Sequence, residues 1–127
     1  MKQTGEPALV NKILIFIKSR PRESSRAAEG FRMTTAMIAM NVLPQILFAD
    51  DGVYWLIKKQ TTEVAGLASF RERLKTISDL IGVHVLSHSL VQRKLKRDDL
   101  DGSYNAKSLS LDEASQLLAQ NDAVITF

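Results

Sequence analysis

The chain has 127 residues, a formal net charge of +3, 45% hydrophobic and 24% charged residues, and no cysteine. That is the size and composition of one globular domain able to bury its own core. The missing thiol excludes disulfides, thiolate metal sites and a cysteine nucleophile within the chain, and the mild charge does not argue for direct nucleic-acid contact.

In chain order, "MKQTGEPALVNK" lacks the apolar core of a signal peptide. Residues 1–11 read as an N-terminal tail, and one domain is expected over 12–127. No stretch approaches the roughly 18 apolar residues of a membrane span, so the chain reads as cytoplasmic without membrane contact. "KILIFI" (12–17) is an apolar run bounded by charge, the pattern of a strand buried on both faces. The basic segment "KSRPR" (18–22) follows, and like "QRKLKR" (92–97) it reads first as a solvated loop. From Arg22 to Met40 the period becomes helical, with Ala27, Phe31, Thr34, Ile38 and Val42 on one stripe. Asn41 can take the left-handed conformation that ends a helix, and Pro44 blocks its continuation. "QILFA" (45–49) is a second strand.

That strand stops at Asp50, Asp51 and Gly52. Asp51 before Gly52 has the position of an N-cap for a short helix over 52–58, with Tyr54 and Trp55 carried to the rim. "KQTTEVAG" (59–66) is a polar connection, and Leu67, Phe70, Leu74, Ile77 and Ile81 form a second helical stripe stopped by Gly82. "VHVLS" (83–87) alternates as a third strand. Residues 91–105 are a charged loop with a turn at Asp101-Gly102, and "KSLS" (107–110) is a short fourth strand. Ser110 and Glu113 form a capping box for a helix reaching about Gln120. "AVITF" (123–127) is the last strand.

Five strands alternating with helices predict a single three-layer α/β/α domain with a mostly parallel five-stranded sheet. The expected order is 2-1-3-4-5, with the first and third strands most buried. Ligands in such folds sit beyond the carboxyl ends of the strands. Arg20, Ser24, Ser25, Arg26, Asp50, Asp51 and Gly52 are therefore candidates for an anion or ligand rim, the helix start near Arg22 adding free amides. Met33, Met37 and Met40 share one helix face, and with Tyr54 and Trp55 they are core or subunit interface.

Known phosphate loops do not fit. "KSRPRESS" after the first strand has no glycine, which excludes both the dinucleotide fingerprint and the Walker motif. The acidic pair follows the second strand, where a receiver domain would carry its acids after the first. His84 and His88 would lie about 13 Å apart along a continuous strand, too far to share one ion. No metal site and no cofactor are implied. A hydrolase using Asp50 or Asp51 with His88 lacks a nucleophile constellation.

Taken in order, "KILIFIKSRPRESSRAAEGFRMTTAMIA", "LFADDGVYWL", "LIGVHVLSHSL" and "SLDEASQLLAQNDAVITF" resemble the DsrE/DsrF-like family of small sulfur-relay proteins. The likeness covers residues 12 to 127 and includes Ser24, Arg26 and Ala27 at the first helix start. The resemblance implies a persulfide-carrying cysteine just after the third strand, where this chain has Ser87, His88 and Ser89. It therefore implies a cysteine-less member closest in style to the DsrF/TusC kind, with no enzyme activity by itself and a vestigial loop over 87–89. Such a member would be an accessory or structural subunit positioning a cysteine-bearing partner in a homo- or hetero-oligomer (trimer, hexamer or dimer) of related small subunits. The alternative is a stand-alone α/β domain binding a small anionic ligand or nucleotide at the carboxyl edge of the sheet.

Overall fold

The isoleucine-rich run becomes β1 (Ile13–Ile17), with Leu14, Ile15 and Ile17 fully buried. A computed structural model of the chain describes residues 12–21, 26–58 and 67–127, except the side chains of 67–70. The remaining elements are α1 (Arg26–Ala39), β2 (Gln45–Phe48), α2 (Leu67–Leu80), β3 (Val83–Leu86), α3 (Ser87–Gln92), β4 (Lys107–Leu109), α4 (Leu111–Gln120) and β5 (Ala123–Thr126). Short 3-10 turns occupy Asp50–Leu56, Arg97–Asp99 and Gly102–Tyr104.

All pairings in the five-stranded sheet are parallel, as expected, but the order is β4-β3-β2-β1-β5. The expected 2-1-3-4-5 placed the reversal after β2, whereas the chain reverses only after β4. Right-handed crossovers explain the layering. The connections from β1 to β4 all step in one direction, so α1, α2 and α3 share a face. The step from β4 back past β1 to β5 runs the other way and puts α4 on the opposite face.

The two cores reflect that asymmetry. Ile15, Ile17, Ile46, Phe48, Val83 and Val85 face the crowded side, with Phe31 of α1, Leu74 and Ile77 of α2 and Leu90 of α3. Leu14, Leu47 and Leu109 face α4, which contributes Ala114 and Leu117. β2 is therefore the most enclosed strand beside β1, correcting the expectation for β3. The β3 side chains on the α4 side, His84 and Leu86, are only half-buried, because one helix cannot cover five strands.

Local signals explain the element ends. Asn41 takes φ 64°, and Val42 N donates to Met37 O at 2.8 Å, a left-handed helix stop of the expected kind. The capping box of α4 forms as expected. Glu113 N donates to Ser110 Oγ at 3.1 Å and Ser110 N to Glu113 Oε1 at 2.9 Å. α1 begins at Arg26 among the described residues; the expected start near Arg22, with Ser24 and Ser25, lies outside them.

Gly52 marks the tightest approach among the described glycines. A Cβ there would stand 2.1 Å from Ile17 O, the backbone at the end of β1. A carbonyl fixed in a sheet cannot yield as a flexible side chain could. Gly52→Ala is expected to destabilise the fold by about 3 kcal/mol. Gly102→Ala, with nothing within 4 Å of its Cβ, is expected to stay within about 0.5 kcal/mol of the native chain. Urea denaturation midpoints of the two variants check both values.

Candidate functional site

Three chain exits meet at the carboxyl edge of the sheet: Lys18 to Arg20 after β1, Ala49 to Gly52 after β2, and α3 directly after β3. Asp51 joins them. Its Oδ2 accepts from Arg20 Nε at 3.2 Å and lies 3.1 Å from Nη2. Its Oδ1 accepts from Arg93 Nε at 3.1 Å and lies 3.0 Å from Nη2. Arg93 Nη1 also donates to Ser89 O at 3.2 Å.

This arrangement corrects the expected N-cap. The turn at Asp50–Leu56 has no side-chain cap. Two guanidiniums offer charge-assisted bonds that outweigh one backbone amide as partners for the Asp51 carboxylate. Asp50 instead takes a left-handed φ of 50°, which aspartate tolerates better than most residues. Its N–H donates to Ser89 Oγ at 2.8 Å, and its carboxylate lies 3.6 Å from Lys18 Nζ.

The aromatic pair separates. Tyr54 is half-buried beside Arg20, whose guanidinium lies 5.7 Å from the ring centroid. Trp55 is 3% exposed, packs edge-on against Phe31 at 4.9 Å, and donates Nε1–H to Ser19 O at 2.9 Å. Trp55 is thus a core anchor for the loop after β1 and offers no surface to a partner.

The switch point of the sheet lies between β3 and β4. β3 exits toward the α3 side and β4 toward α4, the divergence that opens a crevice in parallel sheets. The expected family-cysteine positions occupy this point. Ser87 Oγ donates to Leu109 O at 2.9 Å, closing the crevice across both strands. Ser89 is 1% exposed and serves Asp50. The loop expected to be vestigial thus carries two structural hydroxyls, and His88 alone of the three is exposed. Residues 87–92 form a helix, so His88 is not on a strand with His84. Among the described residues, no group of three or more His, Cys, Asp or Glu could hold a metal ion.

The rim residues differ in what they can offer an anion. Arg20 and Arg93 already face Asp51. Arg26 is exposed at the start of α1, and Ser24 and Ser25 lie outside the described residues. Sequence reading missed Arg93, which sits in a basic run with nothing to distinguish it from its neighbours. Only the turn of α3 brings it back to Asp51.

His84 is half-buried on β3. Both ring nitrogens are buried without a hydrogen-bond partner among the described residues. Burial first, and the charge of Lys107 second, push its pKa below 6.5. Asp101 is held low chiefly by hydrogen bonds from Ser103, and Glu113 by those from Ser110.

The chain is an all-parallel α/β protein whose carboxyl edge holds serine and histidine at the switch point. Residues 11–127 match the model of the DsrE/DsrF-like family, and the chain belongs to that family. It is 27% identical over 133 residues to the intracellular sulfur oxidation protein DsrF of Allochromatium vinosum, covering 94% of this chain and 98% of that one. It is 26% identical over 120 residues to the protein TusC homolog of Aliivibrio fischeri, covering 93% and 100%. The ychN protein from E. coli shares the fold with TM-score 0.73 at 19% identity, over 92% of this chain and 99% of that one. Among the described residues, no helix is long and apolar enough to cross a membrane.

Asp51→Ala leaves two guanidiniums without their carboxylate and is expected to cost about 1–2 kcal/mol, while Asp50→Asn costs at most about 0.5 kcal/mol. Urea denaturation of both variants checks the contrast. His84 has a lowered folded pKa, so the unfolded chain takes up its proton first as pH falls below 6.5. Stability should therefore decline from about pH 7 toward pH 5. The Asp101 and Glu113 contributions persist through that window and are lost only at more acidic pH. Thermal melts of His84→Leu should show a flatter decline there than the native chain.

Proposed function

We propose that this chain is a non-catalytic accessory subunit of a sulfur-relay assembly, which positions a cysteine-bearing partner. The observation that carries the reading is a sulfur-relay family member with no thiol at all. Persulfide transfer needs a thiolate that attacks and then holds sulfane sulfur. Neither serine, histidine nor a methionine thioether can do this.

The geometry supports the same reading. The hydroxyls of Ser87 and Ser89 are engaged in holding Leu109 and Asp50. What remains at the switch point is a rigid edge, cross-linked by Asp51, with an exposed imidazole at His88. That is a surface for orienting another protein. The relatives named DsrF and TusC homolog are matched over nearly their whole lengths, so the reading involves no missing domain of theirs.

The working form is an oligomer with related small subunits. On α1, Met37 packs against the core, but Met33 is 37% and Met40 76% exposed. These methionines, and Tyr54 on the other edge, are the contact residues we assign. Trp55, being internal, is not among them.

Labelled-sulfur transfer from a cysteine desulfurase tests the proposal. The isolated chain should acquire no thiol-releasable label, while a reconstituted complex should pass label through the partner's cysteine. His88→Ala should leave both assembly and transfer unchanged. Label stably bound to the isolated chain would sink the accessory reading. Loss of transfer in the assembled His88→Ala complex would make the histidine a participant.

A further inference from the structure

The two edges of the sheet are not alike. β4 ends it on one side with three residues and an exposed lysine, Lys107. A short edge strand that carries charge resists pairing with another chain. β5 ends the sheet on the other side, and "AVITF" (123–127) has neither charge nor proline. Its register with β1 is unbroken from Ala123 to Thr126, so no bulge blunts it either.

The hydrogen bonds fix which backbone groups of β5 face outward. Ala123 N donates to Lys12 O at 3.2 Å, Phe127 N donates to Phe16 O at 2.8 Å, and Phe127 O accepts from Lys18 N at 2.8 Å. Alternation then turns the N–H and C=O of Ala123, Ile125 and Phe127 toward β1 and leaves those of Val124 and Thr126 on the open edge. These two residues are placed symmetrically about Ile125. A second β5 laid antiparallel on a two-fold axis at Ile125 sets Val124 opposite the partner's Thr126, and Thr126 opposite the partner's Val124. Each is a pair that exchanges both bonds, so every outward N–H and C=O of one copy meets one of the other.

The surface beside the edge is apolar. Phe31 of α1 points toward β2, its ring 6.3 Å from that of Phe48. Gly30 points toward β5, where a Cβ would stand 2.9 Å from Phe127 Cδ2 and 2.8 Å from Ile17 Cδ1. Met33, Ala36 and Met40 continue round the helix on the Gly30 side, and all three are exposed. Val124 is exposed on the opposite face of the sheet. In the paired sheet the two β1 strands would lie three strand spacings apart, about 14 Å. Two helices of about 10–12 Å diameter fit side by side over them, with Met33 and Ala36 of each turned toward the other.

The charges at the strand ends suit an antiparallel copy. Asp122 lies at the amino edge, its Oδ2 accepting from Lys12 N at 3.2 Å. Lys18 lies at the carboxyl edge, its Nζ 5.7 Å from the Phe16 ring centroid. By alternation Asp122 and Lys18 are on the face that carries Val124 and Phe16. Antiparallel pairing brings each Asp122 within two strand spacings, about 10 Å, of the partner's Lys18. Lys12, Asp122 and the partner's Lys18 then alternate in sign across the joint.

We infer that β5 is a docking edge for a second copy of this chain, the two strands pairing antiparallel about Ile125 to join their sheets into one. This names a self-contact that the relay reading leaves open, and it does not depend on sulfur chemistry.

Sedimentation equilibrium and amide hydrogen exchange of the full chain, from about 1 to 500 µM, test the pairing. A monomer–dimer equilibrium with a Kd of about 10 µM is expected. Exchange at Val124 and Thr126 should slow as concentration rises, while Ala123, Ile125 and Phe127, bonded to β1, should not change. Thr126→Pro removes an outward N–H and spares the bonds to β1; it should weaken dimerisation about thirtyfold, through one bond lost from each symmetric pair. Val124→Lys puts a charge on an exposed side chain of the edge strand and should weaken it at least about tenfold. A monomer throughout the range, a dimer whose Val124 and Thr126 amides stay unprotected, or undiminished dimerisation in Val124→Lys would each overturn the pairing. So would protection of the two amides that is independent of concentration, because another segment of the same chain would then occupy the edge. None of these readouts involves sulfur transfer, so the two proposals fail separately.

Discussion

The carboxyl edge of the sheet depends on one carboxylate. Asp51 takes a guanidinium from each side, Arg20 after β1 and Arg93 after α3, with all four contacts between 3.0 and 3.2 Å. Without it, two cations would face each other beside the sheet. With it, three loops of different origin become one surface. The neighbouring Gly52 makes this possible, because it lets the turn after β2 lie directly against the Ile17 carbonyl.

The same edge shows why thiol-free chemistry and structural order go together here. Ser89 is buried and accepts from Asp50, whose left-handed backbone would otherwise leave an amide unpaired. An unpaired buried amide is costly, so the hydroxyl has a defined structural task. Ser87 closes the one place where neighbouring strands exit to opposite faces. Positions that could have held a reactive group instead hold the frame, and His88 is left as the projecting side chain.

The sheet is also unevenly covered. Three helices on one face and one on the other follow from the single reversal after β4. The thinly covered face is where His84 sits, between Leu47 and Lys107 in the register, buried enough to lose its water and given no polar partner among the described residues. The uneven cover therefore creates a pH-sensitive group as a by-product of topology.

The isoleucine run, the α1 stripe through Phe31 and Thr34, the Asn41 stop and the Ser110–Glu113 box are local patterns, and each appears where its period or capping chemistry places it. The parallel class followed from strand–helix alternation, and the family from the order of four segments. The loss of any thiol was certain from composition alone. Strand order was not legible, because the right-handed rule fixes the face of each crossover but not which step reverses. Nor were the partners of Asp51. A carboxylate beside a glycine reads as a helix cap until folding brings guanidiniums from 31 and 42 residues away. Trp55 looked equally suited to a surface or a core, and only its packing on Phe31 and its bond to Ser19 decided for the core. Local signals are written in spacing; the choice among competing partners is made by proximity, which exists only in the folded chain.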